Sequence, residues 1–133
     1  MKLLDTSVII SILRGDEEIK DLVERLNEGR LCTTTITQFE LFSRIYHKGL
    51  IKEGIIIKRF IKSLALLIFD EDSSDKAAQI MGSLLKAEKT VNVIDILIAG
   101  IALANGVEDI ITKDGDFKVI EEVYGYPKVT LLR

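Results

Sequence analysis

The sequence predicts an α/β fold, a three-layer α/β/α arrangement around a central, mostly parallel sheet of four to five strands. Two observations predict it. Short apolar runs alternate with longer stretches of helical periodicity, the pattern of strand–helix–strand units. The run over 64–69 is apolar throughout instead of alternating, as a strand covered on both faces requires. With a single proline, Pro127, and no linker, repeat or low-complexity tract, one domain over residues 1–133 is expected.

The elements follow in order. A short apolar run from Lys2 ends on Asp5 and reads as a strand whose carboxyl end carries that acid. Residues 7–13 read as helix, with Gly15 stopping it. Asp16 is placed to cap a second helix running to Glu28, because Ile19, Leu22, Val23 and Leu26 recur at helical spacing; Gly29 closes it. Residues 30–34 form the second strand. Residues 36–48 form a helix that is apolar at Phe39, Leu41, Phe42 and Ile45 and is followed by Gly49. A helix over 52–63 and the third strand over 64–69 come next. A long helix over 72–89 takes its cap from Asp72, Ser73 or Ser74, and Asn92 caps another over 93–105. The fourth strand spans 109–112 and a short fifth 129–132.

Composition narrows the function. One cysteine, Cys32, excludes a disulfide scaffold and a Cys-rich zinc site; it reads as core. One histidine, His47, excludes a histidine metal cage, and its place near a helix end reads as solvated. The net charge is −3, so no basic nucleic-acid surface is advertised. A metal ion between protein carboxylates and phosphates would still allow such a partner. Asp5 interrupts the first apolar run almost at once, and no window reaches the roughly 18 apolar residues of a membrane span. A cytoplasmic protein without a membrane partner is expected.

Ligands of an open parallel sheet bind outside the carboxyl ends of its strands. Asp5 ends the first strand, and Glu40 lies early in the helix after the second. Asp95 lies in the first turn of the helix before the fourth strand, and Asp114 and Asp116 follow that strand directly. Four distant segments thus send carboxylates to one edge, where neither histidine nor cysteine accompanies them. Unpaired carboxylates packed together repel, and a hard divalent cation such as Mg2+ or Mn2+ removes that penalty. Held there, it equips a site to hydrolyse phosphodiesters. Each acid also has a structural reading. Asp5 can cap the first helix, and Thr37 with Glu40 fits a capping box. Asp95 favours a helix dipole, and Asp114-Gly115-Asp116 can be a turn with positive φ at Gly115. Ser7 and Thr112 are small hydroxyls beside the acids, able to hold a water or phosphate or to satisfy local backbone. The acidic run 70–72 reads as a solvated loop and cap.

Four segments carry a resemblance: Leu4-Asp5-Thr6-Ser7-Val8-Ile9-Ile10, Thr35-Ile36-Thr37-Gln38-Phe39-Glu40-Leu41, Asp95-Ile96-Leu97-Ile98-Ala99 and Thr112-Lys113-Asp114-Gly115-Asp116-Phe117. In order and spacing, over nearly the whole chain, they resemble the PIN-domain family, and within it the VapC-type toxins of prokaryotic toxin–antitoxin pairs. The resemblance implies a three-layer α/β/α fold and a Mg2+- or Mn2+-dependent endoribonuclease. It implies Asp5, Glu40, Asp95 and Asp114 as the acidic, metal-holding quartet, with Asp116 an additional or alternative acid and Thr6, Ser7 and Thr112 as polar companions. It also implies an RNA substrate, a homodimer and a cognate antitoxin laid across the helices near the site. The stretch 88–94 departs from the family by being less polar. Two other readings remain: a receiver-type phosphoacceptor domain, supported by Lys113 after the fourth strand, and a degenerate member that binds without cutting. The first wants paired acids where Asp5-Thr6 stands; the four acids present count against the second. Finally, the helix carrying Phe39, Phe42, Ile45 and Tyr46 together with Leu41, and the next segment with Leu50, Ile51, Ile55, Ile56, Ile57, Phe60 and Ile61, are apolar on more sides than one core contact needs. That surface is expected to be buried against a partner.

Overall fold

The computed structural model describes residues 1–26 and 30–133, and within them five strands and seven helices follow one another. They are β1 (Lys2–Leu4), α1 (Thr6–Leu13), α2 (Glu17–Leu26), β2 (Leu31–Thr34), α3 (Thr35–Lys48), α4 (Ile51–Lys62), β3 (Ala65–Leu67), α5 (Glu71–Lys86), α6 (Val93–Ala104), β4 (Asp109–Thr112), α7 (Gly115–Tyr124) and β5 (Val129–Leu131). The sheet order is β3-β2-β1-β4-β5 and every pairing is parallel. The strand order therefore reverses between β1 and β4, which pair in register from Lys2↔Asp109 to Leu4↔Ile111. Such a reversal opens a crevice at the carboxyl ends of the two strands.

Two apolar layers cover the sheet, and the strand period of two divides the residues between them. Leu3 and Ile110 face a core with Ile80, Leu84, Ile98, Phe117 and Ile120 from α5, α6 and α7. Their neighbours Leu4 and Ile111 face a second core with Val8, Ile9, Ile19, Val23, Leu41 and Ile61 from α1 to α4. The expected three-layer α/β/α architecture is present. Cys32 is buried in the first core. Among the described residues no helix is long and apolar enough to cross a membrane.

Several local expectations are corrected. β3 is an edge strand of three residues, and Leu66, Ile68 and Phe69 in or beside it are exposed, so the run 64–69 is not covered on both faces. The long helix α5 is capped by Asp70, whose Oδ1 accepts from the Ser73 amide at 2.9 Å, two residues before the first of the expected caps. Asp16 does cap α2 through the Ile19 amide, but the expected closure at Gly29 lies outside the described residues. The segment 114–116 is no positive-φ turn. It opens α7, a helix the sequence reading leaves out, with Asp114 as N-cap. Phe117 and Ile120, one turn apart, bury completely and hold that helix against the core.

Gly100 is the most closely packed of the described glycines. A Cβ there would lie 2.6 Å from the Ser73 carbonyl oxygen and 2.8 Å from the Ala77 amide nitrogen, both backbone atoms of α5. Ala gains up to about 1 kcal/mol over Gly in a helix, but overpacking a rigid contact costs about 1–3 kcal/mol or more. Gly100→Ala is therefore expected to lower the urea midpoint of unfolding; an unchanged or higher midpoint would show that α5 and α6 can separate freely.

Candidate metal centre

The first acid is set by the end of β1. Asp5 is 4% exposed and caps α1 in extended geometry. Its Oδ1 accepts from the Val8 amide at 3.2 Å and the Ser7 hydroxyl at 2.7 Å, and its Oδ2 accepts from the Thr112 hydroxyl at 2.6 Å. The capping reading and the site reading of Asp5 thus coexist. Burial pushes its pKa up; the Ser7, Thr112 and Val8 donors oppose this, and the charge of Asp114 adds to the rise.

Thr112, at the end of β4, ties the second group to the first. Its hydroxyl oxygen accepts from the Asp114 amide at 2.9 Å while donating to Asp5. Asp114 in turn caps α7, its Oδ1 accepting from the Asp116 amide at 2.9 Å. Asp116 Oδ2 accepts from the Asn92 amide at 2.9 Å, and Asn92 caps α6 through the Ile94 amide. One hydrogen-bonded chain thus links the ends of β1 and β4 to the starts of α6 and α7. The amide of Asn92 as partner of Asp116 has no sequence signal, since a backbone donor carries no residue identity.

Asp95 projects from the first turn of α6. It is 6% exposed, and its Oδ2 has no hydrogen-bond partner. Oxygens of Asp95, Asp114 and Asp116 lie within 4.8 Å of one another. Burial raises the Asp95 pKa to about 8, helped by a hydrogen bond that its protonated form makes with Asp114 and by the charges of Asp114, Asp116 and Asp5. A buried, unpartnered carboxylate oxygen among other carboxylates is what a hard divalent cation satisfies, so the donor set fits Mg2+ or Mn2+.

Glu40 stands apart from that cluster. It lies on α3, partly buried, and its Oε1 accepts from the Thr6 hydroxyl at 2.7 Å. The capping box with Thr37 is not formed. Thr34 caps α3, accepting from the Thr37 amide at 3.1 Å, so the Glu40 carboxylate is free to reach Thr6, the neighbour of Asp5. The run at Asp70 belongs to the α5 cap, and His47 is exposed near the end of α3.

An open parallel sheet with an all-carboxylate rim at its reversal defines a class of α/β protein built to hold a hard cation there, and the comparisons with known proteins say which family it is. The PIN domain model matches residues 2–123. The chain belongs to the PIN-domain family. Among its relatives, Ribonuclease VapC3 of Methanocaldococcus jannaschii is 41% identical over 98 residues, covering 74% of this chain and 94% of that protein. The tRNA(fMet)-specific endonuclease VapC of Shigella flexneri is 24% identical over 105 residues, 78% of this chain and 80% of that one. The fold is similar to the crystal structure of VapBC2 from Rickettsia felis bound to a DNA fragment from their promoter. There the TM-score is 0.84 and the identity 16%, over 99% of this chain and 98% of that one.

Proposed function

We propose that this protein, acting as a single domain, is a Mg2+- or Mn2+-dependent endoribonuclease and the toxin of a toxin–antitoxin pair. The observation that carries the reading is Asp95: a buried carboxylate with an unpartnered oxygen, facing Asp114 and Asp116 at the sheet's reversal. The 41% identity to a VapC ribonuclease over most of its length supports the same reading.

Asp95, Asp114 and Asp116 hold the cation, and Asp5 and Glu40 complete the acidic set. Bound there, a divalent cation supplies Lewis acidity to a phosphodiester and lowers the pKa of a water. The chain's own residues prepare the site. Ser7, Val8 and Thr112 aim both oxygens of Asp5 before any ligand arrives. Thr6 aims one oxygen of Glu40. Asn92 fixes one oxygen of Asp116. Cleavage of single-stranded RNA is expected with Mn2+ or Mg2+ and to stop in EDTA; full activity in excess chelator would refute the reading.

A partner is assigned to the apolar helices. Phe39 (67% exposed), Tyr46, Ile51, Ile55 and Ile56 stand in solvent on α3 and α4. Beside them, a groove of about 170 Å³ lies between α1, α3 and α4, lined by Ile10, Leu13, Leu41, Leu50, Ile56 and Ile57 and edged by Arg14, Arg44 and Glu53. Exposed apolar patches of this kind mark interfaces, and an amphipathic helix of an antitoxin suits such a groove. The structural neighbours include VapBC complexes, which favours that occupant. The remaining exposed apolar surface is assigned to a homodimer. Light scattering over a concentration series is expected to show self-association of the isolated chain; a strict monomer would remove the dimer.

A further inference from the structure

Three carboxylates meet at the candidate site, with Asp5 and Glu40 beside them, on a chain of net charge −3, yet the proposed substrate is a polyanion. A divalent cation offsets charge at the scissile phosphate only, so the strand beside it needs a protein cation. Lys113 stands at the right place. It lies between Thr112 and Asp114 and is exposed. Its amide donates to the Ser7 hydroxyl at 3.0 Å, and Ser7 donates to Asp5. Its Nζ lies 3.2 Å from the Ser11 hydroxyl. Ser7 and Ser11 are one turn apart on α1, about 6 Å, so the lysine side chain runs along that helix away from the acids.

The ammonium is not spent on the acids beside it. Among the described residues the salt bridges are Met1 with Glu108 and Lys118 with Glu121; Lys113 makes none. It is held by a neutral hydroxyl, which leaves two of its three N–H donors and its whole charge for another anion. As a structural contact alone, an exposed lysine–serine hydrogen bond contributes at most about 1 kcal/mol.

We propose that Lys113, posted by Ser11, binds the RNA phosphate next to the one being cut. This rests on the nuclease reading above and adds the residue that places the strand. Each phosphate contact on single-stranded nucleic acid contributes about 0.7 to the slope of log affinity against log salt, or about five-fold at roughly 0.1 M salt. Steady-state cleavage of a single-stranded RNA oligonucleotide in Mn2+ tests it. Lys113→Ala is expected to raise KM about five-fold at roughly 0.1 M salt and to flatten the salt slope by about 0.7, with kcat changed less. Lys113→Arg should restore both. Lys128→Ala removes the same charge at the amino end of β5, away from the carboxyl ends that carry the acids, and should leave the slope alone. The Mn2+-induced rise in Tm should survive in Lys113→Ala, which a role in building the acidic site would not allow. A wild-type KM and slope in Lys113→Ala, an equal effect of Lys128→Ala, or loss of the Mn2+ response overturns the assignment while wild-type cleavage stands. A wild-type chain that cuts no RNA in Mn2+ overturns the nuclease reading and this one together.

Discussion

Asp95→Asn is expected to abolish RNA cleavage while making the metal-free protein more stable. The two effects share one cause. Asp95 is buried beside Asp114 and Asp116, and once its proton leaves, near pH 8 and above, its charge has no partner on the protein. Asparagine keeps the shape, removes the charge, and brings an amide that can donate to Asp114 in place of the carboxyl proton. The repulsion disappears, and with it the oxygen that a cation needs. Outer-shell changes at metal sites typically cost about 10–100-fold in affinity or activity, so loss of a direct ligand should exceed about 100-fold in kcat/KM. A higher Tm in EDTA at pH 8, together with lost activity, marks a carboxylate kept for function at the expense of stability. Undiminished cleavage, or a variant less stable than wild type without metal, would show that Asp95 is a structural group.

The metal-free protein should lose stability as pH rises from about 4 to about 8. The folded pKa of Asp95 is raised from 3.8 to about 8, so over that window the native state holds a proton that the unfolded chain has released. Stability then falls with pH, because the native state binds more protons than the unfolded one. Asp5, raised by burial, acts with the same sign. The full effect of Asp95 is on the order of 5 kcal/mol, enough to lower Tm by about 10 °C or more in a chain of this size. Mn2+ should cancel it, because the cation takes the place of the proton, and its affinity should rise with pH by about one decade per unit below about 8. At a hundred times Kd, bound metal adds about 2.7 kcal/mol. Thermal melts in EDTA and in Mn2+ at pH 5 and pH 8 read both curves; a Tm in EDTA that is flat or rises over this range removes the buried, protonated Asp95.

How much of this was legible in the sequence differs from element to element. The apolar run 64–69 pointed to a parallel sheet for the wrong reason, because β3 is an exposed edge strand. The strand–helix alternation is a property of residue order, and it specifies a parallel sheet with helices on both faces. The acids at strand ends were legible for the same reason: once β1 ends at Leu4 and β4 at Thr112, Asp5 and Asp114 have no other edge to occupy. The capping of α6 by Asn92 is local chemistry and was read correctly. Glu40 shows the limit of such reading. A capping box with Thr37 was locally plausible, but Thr34 takes that role and the carboxylate turns to Thr6, 34 residues away. The helix α7 was missed because Gly115 imitates a turn, and only the burial of Phe117 and Ile120 against a distant core decides otherwise.

The sequence by itself determined the fold class and which carboxylates can share one edge, since both follow from the order of apolar and acidic residues along the chain. Tertiary structure alone decided which of them meet. Asp95, Asp114 and Asp116 cluster because the reversal between β1 and β4 brings the starts of α6 and α7 together, and the backbone of Asn92 ties Asp116 to the start of α6. It also decided that Lys113 leans on Ser11, 102 residues away, instead of on the adjacent acids. Periodicity and caps act over a few residues and are written in the chain. Proximity between distant segments, and the burial that raises the Asp95 pKa, exist only once the layers pack.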